Sequence, residues 1–516
     1  MVSGDGRYYN DVAIVTIIRM LAAAGVTRII IGENGLISTP CVSGLIRSYH
    51  AYGGILLTAS HNPGGIDNDF GIKYNGSNGG PAPESLTDKI YNISTKISSY
   101  QITHESPDID LSKIGSTKFG DCTIDIINAP KFYAELMKSI FDFDSIRQLI
   151  SRRDFKFIYD SMSGVAGPFA VEIFINQLGA DKSTLINSTP SPDFNNGHPD
   201  PNLTYAHDLV KLMGLNEHGQ IVNTQSSSNE IPDFGAAADG DADRNMILGK
   251  QFFVTPSDSL ALIAANAHHI PYFSKTGITG IARSMPTSMA ADRVADKLGL
   301  KCYEVPTGWK YFGNLMDADL INICGEESFG TGSNHIREKD GMWAVLAWLS
   351  ILVAHNKNNT GKLITVQNIV EQHWKTYGRN FYSRYDYENV TSESAADVMS
   401  TLTKLIDTIK PGHTKFGSYT ISTADNFTYH DPVDQSVSKN QGIRYIFSDG
   451  SRLVWRLSGT GSSGATIRLY IEKYEPADSS NLLGDTQTAL KELVEIAADV
   501  SQLQKLTGRD KPTVIT

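Results

Sequence analysis

The stretch Thr58-Ala59-Ser60-His61-Asn62-Pro63-Gly64-Gly65 organises the rest of the chain. It follows the apolar run 53–57, which is typical of a buried strand. Open α/β sheets bind ligands at the carboxyl ends of their strands, so this stretch would lie at a ligand-binding edge. Ser60 offers a hydroxyl group there, and His61 can hydrogen-bond whatever that hydroxyl carries. A polar turn without function has a similar composition, so this stretch alone leaves both interpretations open.

The size and composition of the chain exclude several classes of protein. At 516 residues it is too long for one hydrophobic core, and it predicts about three to four domains of roughly 150 residues each. The net charge of −11 argues against a nucleic-acid partner or an anionic membrane surface, although a local cationic pocket can still take a small anionic substrate. The N-terminus lacks a signal-peptide pattern, and the longest apolar run, 342–354, is too short to span a bilayer. We therefore expect a cytoplasmic protein.

The cysteines indicate the same location. They are Cys41, Cys122, Cys302 and Cys324, which lie far apart and form no CxxC pair. This spacing predicts free thiols in a reducing compartment rather than a disulfide framework.

Helices and strands alternate along the first two thirds of the chain. A helical pattern near 11–24 and an apolar strand at 28–32 begin the alternation, and its third run starts near residue 256. Repeated β-α-β order predicts largely parallel sheets with right-handed crossovers. Residues 212–231 have no apolar period and are expected to form an exposed insertion. After about Glu371 the pattern changes to a more antiparallel α+β module.

Three carboxylates follow a second apolar strand. Asp239, Asp241 and Asp243 stand at alternate positions, so a loop can direct all three to one hard cation such as Mg²⁺. An EF-hand is excluded because its sixth position would be Arg244 rather than glycine and its twelfth Lys250 rather than glutamate. Arg244, beside the acids, suits a phosphate oxygen. The competing interpretation is a solvated acidic turn, and the position directly after a strand favours the metal site.

A carboxylate and a hydroxyl stand between glycines in Gly325-Glu326-Glu327-Ser328-Phe329-Gly330. The segment follows an expected strand at 320–324, where Glu326 and Ser328 can hydrogen-bond adjacent hydroxyl groups of a sugar. A solvated turn is the alternative for so short a motif. Its place in the third strand-loop-helix repeat favours the sugar-binding interpretation.

The segment Ser458-Gly459-Thr460-Gly461-Ser462-Ser463-Gly464 has the glycine spacing GxGxxG. A strand rather than a helix follows it, so the dinucleotide-binding fingerprint is rejected. Its backbone N–H groups and hydroxyls, flanked by Arg456 and Arg468, instead predict a cradle for an anion. A plain glycine-rich hairpin remains the alternative.

Together these segments carry a family resemblance. The four segments are 58–65, 239–244, 325–330 and 456–461. In this order they match the four signature loops of the α-D-phosphohexomutase superfamily, and the chain resembles its phosphoglucomutases along nearly its whole length. One such loop is weak evidence, whereas four in the family's order are specific. Residues 71–73 and 306–309 are similar to the glucose-preferring branch.

The resemblance implies an α/β multidomain fold, with three related α/β domains with mixed sheets and a C-terminal α+β domain around a central cleft. The expected domains are 1–134 with the phosphoserine loop, 135–255 with the metal loop, 256–372 with the sugar-binding loop and 373–516 with the phosphate-binding loop. Family members usually begin several dozen residues earlier. The first domain is therefore expected to lack an N-terminal strand and an arginine-bearing loop, which would expose unpaired backbone and apolar surface.

The resemblance also implies an activity, the interconversion of glucose 1-phosphate and glucose 6-phosphate. Ser60 would donate a phosphoryl group to a glucose monophosphate and regain one from glucose 1,6-bisphosphate, the intermediate and activator. Mg²⁺ would be held by the Ser60 phosphate and the three aspartates. His61 and Lys73 would move protons or stabilise the transition state, and as a general base Lys73 would need a depressed pKa.

The resemblance extends to the residues that bind substrate. These are Arg7, Asp243, Arg244, Thr307, Gly308, Glu326, Ser328, Lys339, Arg456, Ser458, Gly459, Thr460 and Arg468. Glu326 and Ser328 would bind the sugar hydroxyls, and Arg456 and Arg468 the non-reacting phosphate. The expected partners are sugar phosphates, without nucleic acid or membrane, and the expected state is a monomer.

Two alternatives stay open at this point. One is a phosphoglucomutase-related structural or regulatory protein with weak or no activity, which the expected departure at the N-terminus favours. The other is phosphomannomutase specificity, against which only the resemblance of 306–309 and 325–330 argues. A smaller departure is Ala242, where the family commonly has glycine; a methyl group is tolerated there if φ is negative.

Overall fold

The computed structural model describes residues 1–222, 231–357, 359, 361–461 and 464–516. The chain forms two compact units, of which unit 1 comprises Met1–Ile281 and Phe312–Gln367, and unit 2 comprises Ala282–Tyr311 and Asn368–Thr516. Of the predicted exposed insertion 212–231, the later part, 223–230, lies outside the described residues.

Helices occur throughout the described ranges. The α-helices are α1 (Asn10–Ala23), α2 (Thr39–Ser48), α3 (Glu84–Ser94), α4 (Ala129–Ile140), α5 (Phe143–Ile150), α6 (Ala166–Ala170), α7 (His207–Leu212), α8 (Pro256–Asn266), α9 (Pro271–Thr276), α10 (Ala290–Leu298), α11 (Trp309–Asp317), α12 (Gly341–Asn356), α13 (Val366–Tyr377), α14 (Ser392–Ile406), α15 (Thr486–Ser501) and α16 (Leu503–Thr507). Within the described ranges, no helix combines the length and the hydropathy that a membrane crossing requires.

The strands follow the same order along the chain. They are β1 (Val2–Gly4), β2 (Arg28–Gly32), β3 (Gly54–Leu57), β4 (Ile72–Asn75), β5 (Gly115–Phe119), β6 (Cys122–Ile127), β7 (Phe157–Asp160), β8 (Leu185–Ile186), β9 (Phe234–Ala238), β10 (Asn245–Gly249), β11 (Phe252–Val254), β12 (Ile281–Ser284), β13 (Cys302–Val305), β14 (Ile323–Glu326), β15 (Gly330–Ser333), β16 (Arg379–Val390), β17 (Lys415–Phe416), β18 (Tyr419–Asn426), β19 (Tyr429–His430), β20 (Val437–Ser438), β21 (Ile443–Phe447), β22 (Arg452–Gly461), β23 (Gly464–Glu475) and β24 (Val514–Ile515).

Unit 1 begins with two mixed three-stranded sheets, in the orders β1-β3-β4 and β2-β6-β5. The apolar side of α1, including Ile14 and Ile18, packs with residues of β1, β2, β3 and β6 in one buried cluster. Strands β1 and β3 are parallel, as the β-α-β alternation predicts. Strand β4 returns antiparallel to β3 and pairs Lys73 with Leu56, so Lys73 lies beside the end of β3.

A third sheet of unit 1 has the order β11-β10-β9-β7-β8. Strand β7 is parallel to both β8 and β9, whereas β10 is antiparallel to β9. The β9–β10 ladder begins with Ala238 opposite Asn245. Residues 239–244 therefore form the turn between two buried strands, and the backbone directs their side chains to one small region.

The buried helix that the apolar run predicted is α12. Its N-terminus is capped by Asp340, which accepts a hydrogen bond from the backbone N of Trp343 at 3.0 Å. Beside it, β14 and β15 form an antiparallel hairpin in which Glu326 pairs with Gly330. Strand β14 ends at Glu326, two residues later than the predicted strand 320–324, so the tip of the hairpin is 327–329.

Unit 2 contains a seven-stranded antiparallel sheet in the order β17-β18-β21-β22-β23-β16-β24. Helices α14 and α15 cover one face of this sheet and share a buried cluster with it, including Trp455 and Leu490. An antiparallel sheet with helices on one face confirms the predicted α+β module. All four cysteines are free thiols, as predicted.

Candidate active site

Ser60 lies just beyond the end of β3 in unit 1. Its Oγ donates a hydrogen bond to Oδ2 of Asp239 at 3.1 Å. Its backbone is left-handed, with φ at 54°. Residues other than glycine rarely adopt this conformation, and where they do the strain is often part of a functional site. The structure therefore brings the predicted nucleophile together with the first predicted metal ligand.

His61 lies beside the same hydroxyl group. Its Nδ1 is 3.4 Å from Ser60 Oγ. Burial lowers the pKa of His61 to about 3, and the nearby Arg244 guanidinium adds to the effect. The imidazole is therefore neutral at physiological pH, with one nitrogen that accepts a hydrogen bond and one that donates.

Asp239, Asp241 and Asp243 are buried together on the β9–β10 turn. One carboxylate oxygen from each lies within 4.8 Å of the others. Oδ1 of Asp241 and Oδ1 of Asp243 are buried without a hydrogen-bond partner. Buried carboxylate oxygens are costly unless a proton or cation pairs with them, and an oxygen-only ligand set suits a hard divalent cation. The predicted metal site thus has a fitting donor set.

The three carboxylates perturb one another. Burial raises the pKa of Asp239 well above its ordinary value, and Asp241 and Asp243 raise it further. Burial also raises the pKa of Asp243. Burial acts in the same direction on Asp241, but the ammonium groups of Lys73 and Lys339 outweigh it and hold that pKa below its ordinary value. A bound divalent cation would stabilise the fully ionised cluster.

Ala242 adopts a left-handed conformation with φ at 65°. The condition under which a methyl group is tolerated here, a negative φ, is therefore not met. The turn is tight because the Ala242 N donates to the Asp239 carbonyl oxygen at 3.1 Å between the buried ends of β9 and β10. Alanine pays a steric penalty in this conformation that glycine does not.

Replacing Ala242 by glycine is therefore expected to stabilise the protein. The gain is about 0.5–1 kcal/mol, because relief of the left-handed strain exceeds the added freedom of the unfolded chain. Calorimetry would show a small rise in Tm, and the matched substitution Ala237→Gly, within β9, should instead lower it. A Tm for Ala242→Gly below that of the parent would contradict this account of the turn.

Two lysines face the aspartates. Lys73 Nζ lies 3.7 Å from Asp241 Oδ2, and Lys339 Nζ lies 3.2 Å from Asp243 Oδ2. Burial alone would lower the pKa of Lys73, but the carboxylates of Glu338 and the aspartates raise it above its ordinary value. The depressed pKa that a general base requires is therefore not found. The arrangement instead favours a charged Lys73 that stabilises anionic groups.

The β14–β15 hairpin, which is predicted to bind sugar, is hydrogen-bonded to the end of the β9–β10 turn (residues 239–244), which is predicted to bind metal. The Asn245 N donates to the Phe329 carbonyl oxygen at 2.8 Å, and Glu326, at the end of β14, is buried. A Cβ added to Gly330 would lie 2.5 Å from Cδ of Lys339, so glycine lets the lysine stem pass close to the hairpin. Ser328 is half-buried at the hairpin tip. Unit 1 thus places Glu326, Ser328 and Lys339 near the β9–β10 turn.

Arg7 has a different environment from the one predicted. Its side chain is 1% exposed and ion-paired with Asp5 at 2.9 Å. Its Nη2 donates to the Ser60 carbonyl oxygen at 3.1 Å, and its Nη1 to that of Asp69 at 2.7 Å. The guanidinium lies behind the Ser60 segment with its donors engaged by protein. This geometry does not support the direct substrate contact predicted for Arg7.

The predicted phosphate cradle lies in unit 2. Strands β22 and β23 pair as far as Gly461 opposite Gly464, so the segment expected to be an open loop is mainly the end of a hairpin. Ser458 is half-buried on β22, and Gly459 and Thr460 follow it on the same strand. Ser462 and Ser463 of the predicted motif lie outside the described residues.

The hairpin places two arginines directly opposite each other, Arg456 and Arg468. Arg456 donates to the Tyr470 hydroxyl at 3.3 Å, and Arg468 lies 3.5 Å from a carboxylate oxygen of Asp386. Like charges in directly opposed positions destabilise a sheet unless an anion compensates them. Asp386 compensates Arg468 in part, and an anionic ligand would compensate the remaining charge of the pair.

Thr307 and Gly308 also belong to unit 2 and lie in the turn between β13 and α11. The Thr307 hydroxyl is buried without a hydrogen-bond partner, and Gly308 has φ at 129°. An unpaired hydroxyl beside a glycine turn is available for a ligand.

Sequence reasoning missed several residues that position the site. Thr39 Oγ1 donates to Asp241 Oδ2 at 2.7 Å, and the Thr39 N donates to the Asp241 carbonyl oxygen at 3.1 Å. Thr39 begins α2, which Ser38 caps, so the sequence indicated a helix start but not a contact with the β9–β10 turn. Asp200 pairs with Arg244 at 3.2 Å and likewise carries no local signal.

Four family models match the chain. They are phosphoglucomutase/phosphomannomutase alpha/beta/alpha domain I at residues 1–101, domain II at 131–251, domain III at 256–377, and the phosphoglucomutase-1 C-terminal domain at 379–513. Three α/β domains followed by a distinct C-terminal domain are the predicted fold class. The residue boundaries predicted for the four domains stay a prediction.

Similar proteins are known from plants and a protist. The probable cytoplasmic phosphoglucomutase 2 of Arabidopsis thaliana is 57% identical over 537 residues, covering 100% of this chain and 90% of that one. The cytoplasmic phosphoglucomutase of Mesembryanthemum crystallinum is 58% identical with the same coverage. The open-form crystal structure of the exocytosis-sensitive phosphoprotein pp63/parafusin, a Paramecium phosphoglucomutase, is 51% identical, has a TM-score of 0.90 and covers 100% of this chain and 89% of that chain. The chain therefore belongs to the phosphoglucomutase/phosphomannomutase family.

Proposed function

We propose that the chain is a phosphoglucomutase that interconverts glucose 1-phosphate and glucose 6-phosphate through a phosphoserine at Ser60. The observation that carries the proposal is the 3.1 Å contact of Ser60 Oγ with Asp239, within a buried cluster of three aspartates. Phosphoryl transfer needs positioned groups and charge neutralisation more than covalent assistance, and this cluster offers both. The similar plant proteins, at 57% and 58% identity over the whole chain, are named phosphoglucomutases.

The residues of unit 1 have different proposed roles in phosphoryl transfer. Mg²⁺ held by Asp239, Asp241, Asp243 and the Ser60 phosphate would neutralise charge on the transferring group. Lys73 brings a second positive charge to the aspartates, and neutral His61 hydrogen-bonds the oxygen of Ser60 that gains and loses phosphate. Glucose 1,6-bisphosphate is the intermediate that returns a phosphate to Ser60.

The proposed substrate-binding residues are assigned individually, each by its own chemistry and within the unit to which it belongs. The proposed substrate-binding residues are Asp243, Arg244, Thr307, Gly308, Glu326, Ser328, Lys339, Arg456, Ser458, Gly459, Thr460 and Arg468. Buried Glu326 accepts hydrogen bonds from sugar hydroxyls, and the opposed pair Arg456 and Arg468 binds the non-reacting phosphate. Arg7 is removed from this set because its donors are engaged within the protein.

Arg468→Gln is expected to raise KM for glucose 1-phosphate about 10-fold or more, since a charge-assisted contact to phosphate is worth about 1.5–3 kcal/mol. The matched control is Arg153→Gln, because Arg153 is an exposed arginine outside the site. Initial rates over a range of glucose 1-phosphate concentrations give KM for each of the two variants and for the parent. An unchanged KM in folded Arg468→Gln would remove this arginine from the phosphate site.

A coupled assay tests the proposed function. Glucose 1-phosphate, trace glucose 1,6-bisphosphate and Mg²⁺ are supplied, and formation of glucose 6-phosphate is followed through a dehydrogenase. Mannose 1-phosphate in parallel tests the phosphomannomutase alternative. A folded chain without glucose 1-phosphate turnover would overturn the proposal and favour the inactive structural or regulatory alternative, which no comparison supports.

The remaining properties follow from the same proposal. The named plant relatives are cytoplasmic enzymes, and we infer a cytoplasmic location for this chain as well. A monomer that acts on free sugar phosphates, without nucleic acid or membrane partners, fits the activity. The four domains would be 1–134, 135–255, 256–372 and 373–516.

A further inference from the structure

We propose that Asp5, Arg7 and Thr58 form a clamp that fixes the left-handed backbone of Ser60 and thereby sets the rate of phosphoryl transfer. The inference rests on the proposed role of Ser60 as the phosphoryl carrier. The three residues are 1%, 1% and 3% exposed, respectively, so they act on Ser60 from behind and not on substrate. They are positioning residues for the reaction.

One side of the clamp holds the backbone N–H of Ser60. This N–H donates to Oγ1 of Thr58 at 2.8 Å. The same Thr58 hydroxyl donates its own proton to Oδ2 of Asp5 at 2.7 Å. Because its proton is committed to the carboxylate, the hydroxyl presents a lone pair to Ser60.

The other side of the clamp holds the carbonyl oxygen of Ser60. Arg7 Nη2 donates to it at 3.1 Å, while Arg7 Nη1 donates to the Asp69 carbonyl oxygen at 2.7 Å. Arg7 Nε donates to Asp5 at 3.0 Å. The carboxylate of Asp5 therefore contacts both Thr58 and Arg7. The hydrogen bonds to the N–H and to the carbonyl oxygen of Ser60 both depend on the buried ion pair of Asp5 and Arg7.

The clamp is closed by two neighbouring elements. The Arg7 guanidinium lies over the ring of Phe194, 5.3 Å from its centroid. A Cβ added to Gly240 would lie 2.7 Å from the Ser60 carbonyl oxygen, so the metal-binding turn packs directly against this peptide. Gly240 adjoins Asp239, the acceptor of the Ser60 hydroxyl. Movement of the Ser60 peptide would therefore change the distance between the nucleophile and the metal ligand.

A strained backbone conformation persists only where its surroundings over-determine it. The hydrogen bonds to the N–H and the carbonyl oxygen of Ser60 provide such surroundings and hold its φ at 54°. Loss of one side of the clamp is expected to let Ser60 relax toward an ordinary φ. The fold would survive, since Thr58 lies beyond the end of β3.

Thr58→Val tests the clamp because valine keeps the shape of threonine and removes the hydroxyl. We expect kcat to fall about 100-fold, the loss typical of an ångström-scale misplacement, with KM for glucose 1-phosphate within about twofold. Thr58→Ser restores the hydroxyl and should recover most of kcat. Ser501→Ala, which removes a buried hydroxyl from α15, controls for stability effects and should keep the parent kcat.

A crystal structure of Thr58→Val supplies a readout that does not depend on activity. A Ser60 φ outside the left-handed region supports the clamp, whereas an unchanged φ with an unchanged kcat overturns it. If the parent has no mutase activity, the proposed function fails, and the Ser60 φ still decides the clamp. If Thr58→Val does not fold, Arg7→Lys takes its place, because lysine keeps the charge beside Asp5 and lacks the fork that reaches both carbonyl oxygens.

Discussion

Replacing Ser60 by alanine is expected to abolish the mutase activity, with kcat falling about 10⁴-fold or more, as it does when an enzyme loses its nucleophile. The reason is geometric. Ser60 Oγ is 3.1 Å from Asp239. Among the described residues, the other hydroxyl that hydrogen-bonds the aspartate cluster is that of Thr39, which is buried and donates to Asp241. No second hydroxyl among these contacts can take over the phosphoryl group. The Ser60→Ala variant should keep the parent fold and Tm within a few degrees.

The measurement is transfer of labelled phosphate from glucose 1,6-bisphosphate to protein. The parent should become labelled and Ser60→Ala should not. Ser85→Ala, at an exposed serine near the start of α3, is the matched control and should be labelled like the parent. Equal labelling of Ser60→Ala and the parent would reject Ser60 as the phosphoryl carrier, even if turnover were lost.

The strand ends that build the site could be predicted from the sequence. Apolar runs end at Leu57 and Ala238 in the structure, and each is followed by polar and small residues. Side chains change from apolar to polar where a buried strand leaves the core, so the local sequence indicates the residue at which the strand ends. The same argument located Glu326, although there the strand includes the acid itself.

Contacts between distant segments could not be predicted in this way. Thr39 reaches Asp241 because α2 and the β9–β10 turn meet in the folded unit, and no pattern within either segment specifies that meeting. The direction of the pKa shift of Lys73 could not be predicted for the same reason, because it depends on distant segments. A lysine near cations would have a depressed pKa, but the structure surrounds Lys73 with Glu338 and the aspartates, and the sign of the shift reverses.

The backbone conformations of single turn residues also could not be predicted from the sequence. The sign of φ at Ala242 depends on the register of the ladder that begins with Ala238 opposite Asn245. Likewise the segment after Arg456 was expected to be a loop, because glycines and serines are typical of loops. Cross-strand pairing extends it as a hairpin to Gly461 and Gly464.

Asp241→Asn is expected to remove most of the activity and leave the protein folded. The amide keeps the size of the carboxylate and its oxygen can still accept the Thr39 hydrogen bond, but it loses the charge that a cation needs. Loss of an outer-shell partner typically costs about 10–100-fold in metal affinity, and loss of a direct ligand should cost at least as much. In EDTA the variant should stay folded with a Tm below that of the parent, because Lys73 and Lys339 hold the pKa of Asp241 below its ordinary value and the Asp241 charge therefore stabilises the fold.

The decisive measurement is thermal unfolding with and without Mg²⁺, since it reports binding separately from catalysis. A cation that binds only the folded state stabilises it by about 2.7 kcal/mol at 100 times its Kd, so the parent Tm should rise with Mg²⁺ concentration. Asp241→Asn should show little rise, and Asp121→Asn, at an exposed aspartate, should behave like the parent. A parent that turns over substrate in EDTA, with a Tm indifferent to Mg²⁺, would show that the buried aspartates serve another purpose. The unpaired oxygens of Asp241 and Asp243 argue against that outcome, because a cation is the partner that their buried charge lacks.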